Sequence, residues 1–315
     1  MSAINNDRRR LLQAFGASAT LAGAALLPGS ALAALKKGRK IGRVVVIGAG
    51  FGGATAAKHL RKQLVDLPDG GTFIITIPKA PYRCPPGPYE RASQVASYFK
   101  AHKPNSKILV LDANDKIISK TRLFADNWAN DYKDIIEYRP NWNAVEINAE
   151  TSIVTSEIGD RERGDVINLI PPQTAGRIAH DIGVINANKR WATVDWVTLE
   201  STVVKNVHVL GDATLSAPLM PKSGHMANQH GKAAAAAIVE ILSGREPRPT
   251  LMANTCYSLV DERRAIHVDS VHRWNPEKKQ LLVVEGSGGV SKEPSVEEGL
   301  FARAWARNIW SDTLL

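Results

Sequence analysis

Residues 44–53, which read VVVIGAGFGG, predict a buried parallel strand that ends in a glycine-rich turn. An alanine-rich helix is predicted from residue 54 to residue 61, so the glycines lie in the strand–turn–helix context in which GxGxxG indicates dinucleotide binding. Gly48 makes the tight turn, Gly50 lets the backbone approach a pyrophosphate, and Gly53 lets the helix pack closely on the strand. We therefore predict an α/β fold with a dinucleotide site at these glycines.

The second part of this fingerprint is absent. A second strand that ends in Asp or Glu, which would bind the ribose, is expected about 20 residues further on. The chain instead passes through a turn at residues 68–71 into an apolar strand, Thr72–Ile77, which is followed by Pro78 and Lys79. The first nucleotide-binding domain is therefore predicted to be incomplete on its adenosine side.

The strand Thr72–Ile77 opens a second α/β unit. A helix is predicted over Glu90–Ala101 and a further strand over Lys107–Leu111. The turn between the strand Thr72–Ile77 and this helix, PYRCPPGP at residues 81–88, carries prolines and Cys84 where glycines would have to cradle a phosphate. We predict a Rossmann-like domain without a nucleotide fingerprint, and an electron donor other than a pyridine nucleotide.

Gly211 and Asp212 lie in the second segment of the predicted first domain. They follow an apolar run at residues 207–210, which predicts a buried strand, and they precede a long helix predicted over His225–Leu242. In two-domain flavoproteins, Gly-Asp at such a strand end holds the flavin ribityl chain, and the next helix points its positive N-terminus at the isoalloxazine ring. The alternative is an ordinary helix cap by Asp212. The predicted cofactor-binding residues are Gly48, Gly50, Gly53, Gly211, Asp212, Lys222, Ser223 and Gly224.

The N-terminal 33 residues have the composition of a bacterial signal peptide. Arginines at residues 8–10 precede an apolar stretch at residues 14–27 and the small-x-small sequence ALA at residues 31–33. Adjacent arginines indicate the twin-arginine route, which exports proteins folded around a cofactor. We expect a periplasmic protein with no membrane span after signal cleavage.

Charge and histidine spacing exclude two further classes of function. The formal net charge of +9 could steer an acidic partner or an anionic substrate. It is spread along the chain without a basic-aromatic block, so we expect no nucleic-acid binding. The histidines show no ligand spacing, and we predict no metal site.

The chain contains two cysteines, Cys84 and Cys256. An exported chain with two cysteines has one possible internal disulfide. Such a bridge could be a structural staple, because closing a long loop restricts the unfolded chain, or it could be a redox centre.

Five motifs together resemble one family. They are PYRCPPGPYERA at residues 81–92, DVINLIPPQ at 165–173, GDA at 211–213, MPKSG at 220–224 and NTCYS at 254–258. With the signal peptide and the glycine turn, they resemble the flavoprotein subunit of flavocytochrome c sulfide dehydrogenase. The resemblance implies a periplasmic enzyme that binds FAD and pairs with a c-type cytochrome subunit.

In that family, the cysteines that match Cys84 and Cys256 form a redox-active disulfide beside the flavin. Sulfide, the substrate, attacks one sulfur to give a persulfide, and the other sulfur leaves as a thiolate, which is ordinary thiol–disulfide exchange. The thiolate then reduces the flavin, and electrons pass singly to haem in the cytochrome. The resemblance thus assigns catalysis to Cys84 and Cys256.

The chain departs from the family near Arg61. Family members carry there a stretch of about a hundred residues, the size of a small domain, that holds the second strand and its ribose carboxylate. The cysteine that attaches FAD covalently in some members lies in that stretch, and this chain has no third cysteine. If FAD binds, we predict that it is non-covalent.

These patterns predict a two-dinucleotide-binding-domain flavoprotein fold with a truncated FAD half and a small α+β interface domain. The apolar stripe of the last helix is typical of a core or a subunit interface. The predicted segments are a signal peptide at 1–33, a discontinuous FAD-binding-type domain at 34–62 and 166–246, the second Rossmann-like domain at 63–165, and the interface domain at 247–315.

Three functions remain open on the sequence. The first is a periplasmic FAD-dependent sulfide:cytochrome c oxidoreductase. The second is an internally deleted, flavin-free and inactive relative that retains only a cytochrome-interaction surface. The third is a dithiol–disulfide oxidoreductase that uses NAD(P)H, which the proline-rich second turn disfavours.

Overall fold

The computed structural model describes Arg43–Val44 and residues 60–314. The predicted signal peptide and the predicted sites at Gly48, Gly50 and Gly53 lie outside the described residues. Within the described ranges, no helix is both long and apolar enough to cross a membrane.

A five-stranded parallel sheet is the centre of the fold. Its strands are Arg43–Val44 (β1), Thr72–Ile77 (β2), Lys107–Asp112 (β3), Ile136–Arg139 (β4) and Val166–Leu169 (β8), and they lie in the order β1-β8-β2-β3-β4. Strands β2 and β3 are largely apolar and almost wholly buried, as in parallel sheets that are covered on both faces.

Two helices cover one face of this sheet, Gly87–His102 (α1) and Thr121–Asp131 (α2). Their aromatic side chains, such as Phe99 and Trp128, pack into the same core as β2 and β3. A small antiparallel sheet covers the other face through Trp142 and Val154. Its strands are Ala144–Asn148 (β5), Ile153–Ser156 (β6) and Arg161–Arg163 (β7).

The remaining chain forms a second core and a C-terminal sheet with one long helix. The second core contains Arg177–Asp181 (α3), a 3₁₀ turn at Gly211–Ala213, and Gly224–Leu242 (α4). The C-terminal elements are Met252–Leu259 (β9), Ala265–Asn275 (β10), Gln280–Val283 (β11), Gly289–Val290 (β12) and Val296–Leu314 (α5).

The predicted α/β class, the strand Thr72–Ile77 and the helix α4 are confirmed. The predicted strand at residues 207–210 is wrong, because among the described residues that segment makes only an isolated bridge, between His208 and Glu200. Val166–Leu169 and Arg43–Val44, which the sequence assigns to the first domain, extend the sheet of β2. The domain boundaries themselves stay predictions.

Candidate functional site

Cys84 lies in the loop between β2 and α1, at the carboxyl edge of the parallel sheet, where ligands of such sheets bind. Its φ of 50° lies in the left-handed region. The backbone N–H of Cys84 donates to the carbonyl oxygen of Lys222 at 2.8 Å, and that of Gly87 donates to the carbonyl oxygen of Cys84 at 2.8 Å. These bonds fix the loop against the segment that precedes α4.

Cys256 lies on β9, opposite Val268 of β10. Both cysteines are free thiols in this structure, Cys84 an exposed residue and Cys256 a half-buried one. Their side chains interact with one another, and this interaction raises the pKa of Cys84 and lowers the pKa of Cys256. The two thiols therefore form one coupled pair.

Charged groups flank the sulfur pair. Glu90 Oε1, on α1, accepts from the backbone N–H of Leu259 at 3.0 Å. Burial raises the pKa of Glu90, and the Leu259 bond and the Lys120 ammonium oppose that shift. Lys120 Nζ donates to the carbonyl oxygen of Cys256 at 2.7 Å. A carboxyl group and an ammonium group therefore act on the same two thiols.

Asp212 offers an unsatisfied acceptor at the Gly211–Ala213 turn. Its Oδ1 is buried and has no hydrogen-bond partner among the described residues, and its Oδ2 lies 3.8 Å from Arg83 Nε. Gly211 has a φ of 59°, and a Cβ there would lie 2.9 Å from the Cβ of Ala227, so glycine is required. Burial raises the pKa of Asp212. A ribityl hydroxyl would satisfy Oδ1, so these residues fit a flavin.

Lys222, Ser223 and Gly224 lie at the start of α4. Lys222 Nζ donates to the carbonyl oxygen of Asp212 at 3.0 Å, and burial lowers its pKa to about 8. Ser223 Oγ caps α4 and donates to Asn254 Oδ1 at 2.6 Å. Because these polar side chains bind within the protein, their contact with a cofactor stays a prediction.

The second α/β unit offers no ribose carboxylate. Asp112 ends β3, and in nucleotide-binding domains a carboxylate at such a position binds the ribose. It is fully buried and accepts from Tyr89 Oη at 2.7 Å, Tyr138 Oη at 3.0 Å and Asn114 Nδ2 at 2.7 Å. These bonds occupy the carboxylate within the protein.

Sequence reasoning did not select Arg83, Glu90 or Lys120 as site residues. Arg83 and Glu90 lie in the motif around Cys84, and that proximity could have identified them. Lys120 is 136 residues from its partner Cys256, and no local pattern marks it.

Two protein-family models match more than half of the chain between them. One is described as sulfide dehydrogenase (flavocytochrome c) flavoprotein chain, central, and matches residues 57–171. The other is described as flavocytochrome c sulphide dehydrogenase, flavin-binding, and matches residues 248–314.

Solved structures share the fold at low identity. The sulfide:quinone oxidoreductase of Aquifex aeolicus matches 86% of this chain and 64% of its own, at 14% identity and a TM-score of 0.59. A chain of the Tetrahymena thermophila mitochondrial ATP synthase matches 67% of this chain and 53% of its own, at 18% identity and a TM-score of 0.52. The chain thus spans less than two thirds of either relative.

Proposed function

This chain belongs to the family of the flavoprotein chain of flavocytochrome c sulfide dehydrogenase, and from this premise we propose that it oxidises sulfide in the periplasm. The proposed cofactor is non-covalent FAD, and the proposed electron acceptor is a c-type cytochrome subunit. The interaction between the side chains of Cys84 and Cys256, with Cys84 an exposed residue, is the observation that carries the proposal.

In the proposed resting form, Cys84 and Cys256 share a disulfide. HS⁻ attacks Cys84 Sγ, the S–S bond breaks, Cys84 becomes a persulfide, and Cys256 leaves as a thiolate with the electron pair. Attack at Cys84 follows from its exposure. Departure of Cys256 follows from its lowered pKa, because the more acidic thiol is the better leaving group.

Two groups of residues support this chemistry. Glu90, whose pKa is raised by burial, can exchange a proton with hydrogen sulfide. Gly211, Asp212 and the N-terminus of α4 would hold the flavin, together with the glycines predicted at residues 48–53. The flavin, when bound, supplies a two-electron acceptor that can pass electrons singly to a haem.

One observation favours a second candidate, a flavin-free relative that retains a cytochrome-interaction surface. The chain spans only 64% of the sulfide:quinone oxidoreductase that it matches, while α5 still exposes Leu300, Phe301 and Trp310 at 60%, 50% and 63%. Apolar side chains of this kind are typical of interfaces. Flavin absorption of the purified protein separates the two candidates.

Anaerobic addition of sulfide to the purified protein tests the proposal. Sulfide is expected to bleach the flavin bands of the wild type, and Cys84→Ser and Cys256→Ser are expected to abolish bleaching because each lacks the disulfide electrophile. Thr255→Ser, beside Cys256 on β9, is the matched control and should bleach normally. Flavin bands that sulfide does not bleach would contradict the proposal, and absent bands would support the second candidate.

A further inference from the structure

Lys120 is a buried cation behind the cysteine pair. Its side chain is 7% exposed. It is the residue before α2, and its φ of 53° lies in the left-handed region. Residues other than glycine keep such a conformation only where the surrounding structure requires it, and these positions cluster at functional sites.

The ammonium group of Lys120 binds both strands of the hairpin that carries Cys256. Its Nζ donates to the carbonyl oxygen of Cys256 at 2.7 Å and to Ser258 Oγ at 2.8 Å, both on β9. It also donates to the carbonyl oxygen of Ile266 on β10 at 3.3 Å. Three acceptors match the three donors of an ammonium group, so the charge is fixed relative to the backbone of Cys256.

Titratable groups on several elements interact with this charge. Burial lowers the pKa of Lys120, and its acidic neighbours oppose that shift; they are Cys256 on β9, Glu90 on α1, Cys84 in the loop and Glu298 on α5. Four further titratable groups act on neighbouring residues or lie opposite them: Arg91 interacts with Glu90, His225 on α4 accepts from the backbone N–H of Thr255, and His267 and Asp269 on β10 lie opposite Tyr257 and Thr255.

We propose that Lys120 is a positioning residue that makes Cys256 the leaving sulfur. It holds the Cys256 backbone and places a fixed positive charge beside the thiolate that forms when the disulfide opens. The inference rests on the proposed function, in which HS⁻ bonds to Cys84 Sγ and Cys256 keeps the electron pair of the broken S–S bond. A role in fixing the strands alone would need the donors of Lys120 but not its charge.

The test measures thiol reactivity without sulfide. In the reduced protein, alkylation of each cysteine by iodoacetamide is followed across the pH range in which thiols titrate, with peptide mass mapping to separate Cys84 from Cys256. Lys120→Gln removes the charge but keeps a donor, and Lys120→Arg keeps the charge. Lys100→Gln is the matched control, because Lys100 is exposed and its Nζ also donates to a backbone carbonyl, that of Asp131.

In the wild type, Cys256 is expected to react at lower pH than Cys84. Lys120→Gln is expected to raise the pH midpoint of Cys256 alkylation by about one pH unit. At a fixed pH below the midpoint, Cys256 would then react roughly tenfold more slowly. Lys120→Arg should restore most of that loss, and Lys100→Gln should change neither midpoint.

Two results would overturn the inference. One is an unchanged Cys256 midpoint in a Lys120→Gln protein whose circular dichroism shows that it is folded. The other is a wild-type protein in which the pH midpoint of Cys256 alkylation lies above that of Cys84. This result would overturn the inference even if Lys120→Gln does not fold, because it needs only the wild type. Failure of the proposed function can be distinguished from failure of this inference. A wild-type protein whose flavin bands are not bleached by sulfide can still show the effect of Lys120 on Cys256 alkylation.

Discussion

At the scale of single residues, burial sets the charge state of the groups around the Gly-Asp turn. His230 is 2% exposed, and its Nδ1 accepts from the backbone N–H of Gly211 at 3.0 Å. Burial lowers the pKa of His230 to about 4. The turn that presents Asp212 therefore depends on a neutral histidine, because a protonated ring has no acceptor to offer.

Acidification is predicted to destabilise the protein through His230. The histidine has a pKa near 6.5 in the unfolded chain and about 4 in the folded one, so the unfolded state binds the additional proton between these values. The stabilisation that comes from keeping His230 neutral is fully present above pH 6.5 and is lost as the pH falls from there through 4. The free energy of unfolding is expected to fall by about 3 kcal/mol over that range.

Urea unfolding at several pH values measures this loss. His230→Asn keeps an acceptor near Gly211 but does not titrate, so its stability should fall less steeply over the same pH range. Equal slopes for the variant and the wild type would contradict the assignment to His230.

At the scale of elements, α5 docks on the hairpin that carries Cys256 through a glycine. A Cβ at Gly299 would lie 1.8 Å from the carbonyl oxygen of Arg263, which belongs to the turn between β9 and β10. The residue before this glycine makes a polar contact with the hairpin, because Glu298 Oε2 lies 3.0 Å from His267 Nδ1 on β10. The helix therefore approaches the hairpin backbone more closely than any side chain would allow.

Gly299→Ala is predicted to destabilise the protein by about 1–3 kcal/mol, since the backbone of the turn or the helix must shift to admit the methyl group. Gly231→Ala is the matched control, also within a helix, where a Cβ meets nothing within 4 Å among the described residues. That change should stabilise the protein by up to about 1 kcal/mol, because alanine favours the helix. Thermal unfolding compares the two, and equal melting temperatures would refute the close docking.

At the scale of the whole molecule, the parallel sheet brings the cysteine loop and the turn before α4 to one region. The Cys84 loop is bonded to Lys222, and Arg83 faces Asp212. The cysteine pair and the unsatisfied carboxylate oxygen of Asp212 therefore lie in the same region of the fold. The missing ribose carboxylate should weaken FAD binding by about 1.5–3 kcal/mol, or roughly ten- to a hundred-fold.

FAD, where it is bound, is predicted to leave the polypeptide on acid precipitation. Both cysteines of the chain belong to the sulfur pair, so none is left for a thioether link. Flavin fluorescence should therefore appear in the supernatant after acid treatment, and in the filtrate after unfolding in guanidinium. Flavin that stays with the pellet in both treatments would contradict the non-covalent assignment.

Local patterns were sufficient where an element is defined by its own residues. Thr72–Ile77 was predicted with its observed bounds, because an unbroken apolar run between turn signals indicates a strand buried on both faces. Helix α4 begins within one residue of the prediction, since alanine-rich sequence follows the cap at Ser223. Residues 207–210 are mostly apolar too, yet within the part of the chain that the structure describes they make only an isolated bridge, and a strand exists only through continuous pairing.

The sequence by itself determined the α/β class, the family, the two cysteines and the Gly-Asp turn, because these depend on residue type and short spacing. Only the tertiary structure decided that the interaction of the two thiols lowers the pKa of Cys256 and raises that of Cys84, and that Lys120 lies beside Cys256. The physical reason is that hydrogen bonds and electrostatic interactions depend on distance in space and on burial. Spacing along the chain specifies neither of these for residues that are far apart in sequence.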